Sequence, residues 1–342
     1  MGSDRVDAVR AWYRHRHPGA GDVTLKVEDP PGGGYSNELL FVRVHGAAPA
    51  PALETALVVR CEPTGPPLFP AYDLGMQVAV QEAAAAGGVP IAGPVVLEDD
   101  PSWLGCRFLV MPWVPGRHPG EVPTECSWLM AATADEQRQV HTGFLDALAA
   151  IHRLPWAGTG LEAQLRGAHG GLGDELRWWE DYAVWACGPQ PADALQELFA
   201  WCRTHLPATE PPRSVLWGDV RLGNVVFDER YRPAAVVDWE MATIGPAESD
   251  VAWFTALSAM TERFFGTRVP GFLDRDEVVA RHERALGRPL LDLGWHEVFA
   301  MARAATVVVR TQVVAALAAG SPVPDPADHP VVRYTARYVE RL

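Results

Sequence analysis

The chain has 342 residues, of which 48% are hydrophobic, and a formal net charge of −14 from 43 Asp and Glu against 29 Lys and Arg residues. That length and apolar content suffice for a large core divided into two lobes or domains. The negative charge disfavours binding to bare nucleic acid or an anionic membrane; it favours cationic substrates or simply keeps the protein soluble. The five cysteines are widely spaced and odd in number, which indicates reduced thiols in a cytoplasmic protein.

The N-terminal part of the sequence predicts mostly strands. After a short amphipathic helix over residues 4–15, strands are predicted at 25–28 and 39–44, on either side of the glycine-rich segment 29–37, DPPGGGYSN. A glycine-rich hairpin can lie close over phosphate groups because glycine permits near approach and leaves N–H groups free. By itself such a segment is more often an ordinary turn. No apolar signal-peptide region is evident at the N-terminus.

Further strands and one helix follow before the sequence becomes helical. A buried strand at 56–60 ends in the cation Arg60, and a helix at 72–86 is stopped by two glycines. Residues 95–97 and 107–111 have the pattern of a β-hairpin. The proline-containing segment MPWVPG comes next.

From residue 127 the apolar spacing is mainly helical. Helices are predicted at 140–152, 174–186, 192–205, 251–260, 274–286, 295–319 and 331–342. The tryptophan-rich helix at 174–186 is expected to pack in the core, with a substrate wall as the less common alternative. The most apolar helix contains Arg303 and Arg310, so it is predicted to be buried or amphipathic and not a membrane span.

Three polar residues, Asp219, Asn224 and Asp238, lie beside short apolar strands in the segment SVLWGDVRLGNVVFDERYRPAAVVDWEMATIGPAESD. A single Asp before a turn is more often a cap or turn residue, but this set suits phosphoryl transfer. That reaction needs a carboxylate to orient and deprotonate the attacking hydroxyl, and oxygen ligands to hold Mg²⁺ on the nucleotide phosphates. Asp219 is therefore the candidate base, and Asn224 and Asp238 are the candidate metal ligands.

The same segment resembles the core of the aminoglycoside phosphotransferase family, which shares the protein-kinase-like fold. It is most similar to the branch related to kinase-like domains found beside some acyl-CoA dehydrogenases. The family pattern HGD-x4-N, D-x-E and a final G…D is matched by Gly218, Asp219, Asn224, Asp238, Glu240, Gly245 and Asp250. Trp217 takes the place of the usual histidine, which packs and orients the loop.

The resemblance implies an α+β, bilobal protein-kinase-like fold. It divides the chain into a β-rich, nucleotide-binding N-lobe (1–111), a hinge (112–116) and a mainly helical C-lobe (117–342) for catalysis and acceptor binding. The glycine-rich segment is similar to the family's nucleotide loop at Gly33, Gly34, Ser36 and Asn37. The same comparison gives Asp250 a structural role, in which it binds the backbone of the catalytic loop, and makes His152 structural.

The resemblance also assigns the groups around the nucleotide. Arg60 would grip the phosphates, where kinases usually have lysine. The position of the kinase helix acid falls on Gln77, so a Gln77–Arg60 hydrogen bond is expected. Met111 begins the hinge motif, and because Pro112 has no N–H, Trp113 is the expected donor to the adenine edge.

These similarities imply Mg²⁺-dependent transfer of the γ-phosphate of ATP or GTP to a hydroxyl of a small molecule, such as an aminoglycoside or another natural product, as in antibiotic resistance. The alternatives are a kinase of a hydroxyacyl-CoA-type metabolite and a catalytically silent nucleotide-binding module. The net charge favours a cationic or neutral acceptor over an anionic CoA ester. The acceptor itself, the choice between ATP and GTP, the oligomeric state and the role of Glu240 stay open.

Overall fold

The computed structural model describes residues 3–18, 24–28, 38–45, 56–187, 193–266 and 268–339. The elements of its N-terminal third are α1 (Ser3–Arg16), β1 (Thr24–Glu28), β2 (Glu38–His45), β3 (Ala56–Cys61), α2 (Leu74–Ala86), β4 (Val96–Glu98) and β5 (Phe108–Pro112). The strands form one five-stranded antiparallel sheet in the order β1-β2-β3-β5-β4. The β-rich character predicted for this part of the sequence is confirmed.

The sheet has two different faces because side chains along a strand alternate in direction. One face packs against Trp12 and Tyr13 of α1 through a layer of apolar side chains from β2, β3 and β5: Leu40, Val42, Leu57, Val59, Phe108 and Val110. The opposite face lines a large cavity with the intervening side chains Phe41, Val58, Arg60, Leu109 and Met111. The strand period therefore places Arg60 among the apolar side chains with which the sheet lines the cavity.

The remainder of the described chain is mainly helical. Its elements are α3 (Ser127–Met130), α4 (Ala134–His152), α5 (Gly160–Gln164), α6 (Leu172–Cys187), α7 (Asp193–Thr204), β6 (Arg213–Leu216), β7 (Val225–Phe227), β8 (Pro233–Val236), β9 (Thr243–Pro246), α8 (Ala247–Phe265), α9 (Arg275–Leu286), α10 (Leu293–Ala319) and α11 (Pro330–Val339). The strands pair antiparallel, β6 with β9 and β7 with β8. An antiparallel sheet followed by helices is the predicted α+β arrangement.

Two helices that border the cavity begin at capping boxes. At the start of α4, the Glu136 carboxylate accepts from the Thr133 N–H at 2.7 Å, and the Thr133 hydroxyl accepts from the Glu136 N–H at 3.3 Å. Asp274 and Glu277 do the same at the start of α9, with both distances 2.9 Å. Each box satisfies N–H groups that a helix start leaves without partners. The cap also explains why α4 begins six residues before its predicted start.

Helix α10 is a core helix. Among the described residues it is the one helix long and apolar enough to span a membrane by length and composition, and 61% of its apolar window is buried inside the protein. It packs against α6, α7, α8 and α11. Arg310 donates to the Pro67 carbonyl at 2.9 and 2.6 Å, which ties the helix to the segment before α2. The predicted burial of this helix is confirmed.

Candidate active site

A cavity of about 1420 Å³ lies between the open face of the sheet and the helical part of the chain. Seven of the predicted site residues line it, namely Arg60, Gln77, Met111, Trp113, Asp219, Asn224 and Asp238. The predicted nucleotide-loop residues Gly33, Gly34, Ser36 and Asn37 lie outside the described residues. The structure thus brings together groups that are separated by up to 178 positions in the sequence, as with Arg60 and Asp238.

Asp219 lies in the turn after β6 and is held by two hydrogen bonds to one of its oxygens. Asn224 Nδ2 and Arg221 Nε each donate to Asp219 Oδ2 at 2.8 Å. The carboxylate is 15% exposed. Burial raises the pKa of Asp219, and the charge of Asp238 adds to this, whereas Arg221 and the hydrogen bond from Asn224 oppose it. A buried carboxylate with a raised pKa and one oxygen left for a ligand suits a general base.

Asn224 and Asp238 are neighbours because the backbone N–H of Val237 donates to the Asn224 carbonyl at 3.0 Å. The side-chain nitrogen of Asn224 points at Asp219, so its amide oxygen is directed elsewhere. Asp238 has φ 63, a left-handed conformation that is uncommon for residues other than glycine. Such a conformation persists only where the surroundings enforce it, and it is typical of functional sites.

Trp217, which replaces the family's histidine, contributes to that enforcement. Its indole Nε1 donates to the backbone carbonyls of Val237 at 3.0 Å and Asp238 at 3.1 Å, and the side chain is fully buried. A donor with a flat apolar body therefore holds the strand end that carries Asp238. The substitution keeps an orienting residue at this position.

Asp250, at the start of α8, holds the backbone of the turn that precedes Asp219. Its carboxylate accepts from the N–H of Trp217 at 2.8 Å and of Gly218 at 3.1 Å, as predicted. Gly218 has φ 91, and a Cβ there would lie 2.3 Å from the Met241 carbonyl oxygen, so only glycine fits. Asp250 also contacts His152 Nε2 at 3.1 Å, which confirms the structural role of that histidine.

Arg60 is paired differently from the prediction. Its Nη2 donates to Asp238 Oδ1 at 2.9 Å and to Glu240 Oε2 at 2.7 Å. The expected Gln77–Arg60 hydrogen bond is wrong: Gln77 is 1% exposed, and both polar atoms of its side chain lack partners among the described residues. A guanidinium binds carboxylates more strongly than a neutral amide, and Glu240 lies within its reach. Glu240, whose role the sequence left open, is therefore the acid that pairs with the strand cation.

The hinge also differs from the prediction. The backbone N–H of Trp113 donates to the Ala56 carbonyl at 2.9 Å and extends the pairing of β3 with β5, so it is not available to an adenine. The ring of Trp113 packs edge-on against Phe41, with centroids 4.9 Å apart. Alternation along the strand directs the Pro112 carbonyl away from β3. Val114, which also lines the cavity, was missed; the register of β3 against β5 is the signal that identifies it.

Arg221 was missed as well. It pairs with both Asp219 and Glu121, and it follows the predicted base by two residues. Since it stands at an unspecified position between Asp219 and Asn224 in the family pattern, the pattern gave no reason to select it. It is a candidate for tuning the charge of Asp219.

The end of the cavity nearest α8, α9 and α10 is mostly apolar. Its wall includes Leu257, Met260, Val269, Phe272, Val307 and Val308. The carboxylates there have partners: Glu262 lies 3.7 Å from Arg268, and Asp274 caps α9. Within the described residues, this end offers no group of unpaired carboxylates.

These features define a phosphotransferase of kinase-like fold, and the comparisons with known proteins agree. Residues 29–298 match the sequence model of the phosphotransferase enzyme family. The chain belongs to that family, as the resemblance implied.

Human acyl-CoA dehydrogenase family member 11 is a curated relative, 32% identical over 209 residues, which is 58% of this chain and 25% of that protein. The chain thus spans about a quarter of the length of this relative.

Two solved structures share the fold. A candidate aminoglycoside phosphotransferase from Ralstonia eutropha has a TM-score of 0.72 and 20% identity over 98% of both chains. The GDP complex of aminoglycoside 2′-phosphotransferase-IIIa has a TM-score of 0.57 and 14% identity over 97% of this chain and 96% of that one. At these identities the likeness shows the fold alone, and it confirms the predicted kinase-like architecture.

Proposed function

We propose that this chain transfers the γ-phosphate of a nucleoside triphosphate to a hydroxyl of a small molecule, with Asp219 as the general base. The observation that carries this proposal is the convergence of Asp219, Asn224, Asp238 and Arg60 on one large cavity, where Arg60 contacts Asp238 and Asn224 contacts Asp219. A base, two oxygen donors and a phosphate-binding cation are the parts that phosphoryl transfer requires. This set also argues against a silent nucleotide-binding module.

The arrangement of Asp219 supports its role. Both hydrogen bonds from its neighbours fall on Oδ2, which leaves Oδ1 to accept the proton of an incoming hydroxyl. The raised pKa of Asp219 makes its carboxylate a stronger base than an ordinary aspartate. Arg221 orients the carboxylate and prevents the pKa from rising further.

The donor set fits Mg²⁺. Magnesium prefers a few protein oxygens together with phosphate and water oxygens, and Asn224 and Asp238 would supply an amide and a carboxylate oxygen. The described residues contain no group of three or more His, Cys, Asp and Glu side chains that could hold a metal, so phosphate oxygens would complete the shell. When bound, Mg²⁺ would neutralise charge on the phosphates. Arg60, kept in place by Glu240, would contact the same phosphates.

For the nucleotide base, we propose ATP as the preferred donor. Pro112 offers a carbonyl but no N–H, which suits the amino group at the edge of adenine and not the carbonyl oxygen of guanine. Val114 replaces Trp113 as the proposed backbone donor, while Met111 packs beside the ring. Gly33, Gly34, Ser36 and Asn37 remain the proposed cover of the phosphates.

For the acceptor, the lining supports an apolar molecule over a polyamine. An aminoglycoside carries several ammonium groups and needs carboxylates that are free to bind them, whereas Glu121 and Glu262 are paired with arginines. An acyl chain suits the apolar end. We therefore propose a hydroxyacyl compound, such as a hydroxyacyl-CoA, as acceptor. The relative named as an acyl-CoA dehydrogenase family member favours the same class.

The test is an ATP-consumption assay over hydroxyacyl-CoAs of increasing chain length, free hydroxy acids, aminoglycosides, macrolides and nucleosides. The proposal predicts the highest kcat/KM for a hydroxyacyl compound, with kcat/KM rising with chain length as more apolar surface is buried. Asp219→Asn is the control for contaminating kinases. Turnover confined to aminoglycosides would contradict the acceptor class but keep the phosphotransferase, and ATP consumption equal in the control would contradict both.

A further inference from the structure

Arg303 on α10 is a buried cation without an ion pair in the described part of the chain. The residue is 4% exposed, and its Nε is enclosed without a hydrogen-bond partner. Three rings surround the guanidinium carbon, with centroids at 4.7 Å (Trp253), 4.8 Å (Trp179) and 5.7 Å (Phe299). Cation–π contacts offset part of the cost of burial but do not satisfy the N–H donors. Burial lowers the pKa of Arg303, and the charges of Glu175 and Asp250, neither of which forms an ion pair with it, oppose this shift.

Arg303 is one of the residues that line a second cavity, of about 390 Å³. The other arginines of this cavity are already engaged. Arg166 pairs with Glu175 at 3.1 Å, and Arg213 donates to three main-chain carbonyls at 2.9, 2.8 and 2.5 Å. Arg303 is therefore the cation of this wall whose donors the described residues leave unused.

The carboxylates of the second cavity are engaged too. Glu175 also accepts from the indole N–H of Trp179 at 2.9 Å, Asp174 accepts from the Gly171 N–H at 2.9 Å, and Glu210 accepts from a backbone N–H at 2.8 Å. None of these groups pairs with Arg303. A buried ionised group normally has its donors hydrogen-bonded, so the unpartnered Nε of Arg303 points to a ligand.

We propose that the second cavity binds a small organic carboxylate that pairs with Arg303. The planar guanidinium matches a carboxylate in a two-point contact. A monoanion balances one cation, whereas a dianionic phosphate would add negative charge beside Glu175 and Glu210. The apolar part of the wall, which includes Leu172, Trp178, Leu216 and Ile244, suits the carbon body of such a ligand.

The site lies against the segment that supports the catalytic loop. Ser249 lines the second cavity, and the next residue, Asp250, holds the backbone of Trp217 and Gly218. A carboxylate bound here stabilises the packing of β9 and the start of α8. It does not enter the large cavity, so it does not compete with ATP.

The first experiment uses the wild-type protein with sodium benzoate as the anionic probe and benzamide as its neutral isostere. Calorimetric titration in the presence of saturating ATP should give one benzoate site and no benzamide binding. Benzoate at a hundred times its dissociation constant should raise the unfolding temperature by about 2 °C or more. Equal responses to the two compounds, or none to benzoate or to the other carboxylate probes acetate and hexanoate, would overturn the proposal.

The second experiment compares Arg303→Met with Arg268→Met, which removes an exposed arginine from the large cavity. Arg303→Met should fold, because it replaces an unpaired buried charge with an apolar side chain of similar length. It should weaken benzoate binding at least tenfold, and Arg268→Met should leave it within threefold. Benzoate binding that survives in Arg303→Met, or that is lost in Arg268→Met, places the anion elsewhere and contradicts the proposal.

Discussion

The pairing of Arg60 with Glu240 gives a sharp prediction for the variant Glu240→Gln. Glu240 is 7% exposed and accepts from Arg60 at 2.7 Å, while Asp238 accepts from the same nitrogen at 2.9 Å. Without the charge of Glu240, Arg60 is held mainly by Asp238, a proposed metal ligand. The variant should therefore lose both the position of the phosphate-binding cation and part of the metal site.

A hydrogen bond between charged groups contributes about 1.5–3 kcal/mol, which corresponds to roughly 10- to 150-fold in a dissociation constant. Glu240→Gln should weaken ATP binding by an amount in that range, measured by titration calorimetry with Mg²⁺. Binding of adenosine, which has no phosphate, should stay within about threefold. The unfolding temperature must be measured in parallel, because the change leaves a buried guanidinium less well compensated.

The matched control is Glu262→Gln, which neutralises an exposed carboxylate in the same cavity. That carboxylate lies 3.7 Å from Arg268. Surface pairs of this kind contribute little, so ATP affinity should not change. ATP affinity in Glu240→Gln that equals the wild-type value, with a normally folded protein, would refute the role given to this pair.

The remaining predictions concern the metal, the pH dependence and the nucleotide. Asp238→Ala should abolish the Mg²⁺ dependence of ATP binding, and equal Mg²⁺–ATP affinities in calorimetry would remove Asp238 from the metal site. The kcat/KM should fall as pH drops through a pKa above the ordinary value of Asp, because Asp219 must be ionised to accept a proton; a flat acid limb down to pH 4 would be inconsistent. Burial lowers the pKa values of His141 and His282 to about 3, whereas an unfolded histidine titrates near pH 6.5. Between these two pH values the unfolded chain binds more protons than the folded protein. The free energy of unfolding should therefore decline, as the pH falls below about 6.5, by about 1 kcal/mol per pH unit for each histidine. ATP should bind more tightly than GTP because Pro112 has no N–H to donate, and replacement of Pro112 by Ala should reduce the difference.

Local spacing in the sequence identified the site residues whose contacts are with residues of the same short stretch of chain. Asp219, Asn224 and Asp238 belong to one run of 20 positions, and the strands β6, β7 and β8 that carry them are short and nearly consecutive. Asp250 lies beyond this run, and its contact with the loop backbone was expected from the family pattern. Such a run folds as a unit, so its order along the chain largely determines its geometry.

Partners chosen across the fold could not be identified in this way. Glu240 is 180 positions from Arg60 in the sequence. Whether Arg60 pairs with Glu240 or with Gln77 depends on how the sheet packs against the segment that carries Glu240. The donor role of Trp113 depended on the register of β5 against β3, and a shift of one residue reverses the direction of every N–H. Trp217 illustrates a third case, in which a different residue type supplies an equivalent orienting contact.

The most direct test of the central claim is the variant Asp219→Asn, measured with the best acceptor from the ATP-consumption assay. Asparagine keeps the size of the side chain but cannot accept the hydroxyl proton as a carboxylate does. We predict a loss of turnover of at least ~10²-fold, since a positioned general base contributes ~10²–10⁴-fold, with the dissociation constant of Mg²⁺–ATP within about threefold of wild type. Turnover within about threefold of wild type in a folded variant would contradict the assignment of Asp219 as the base.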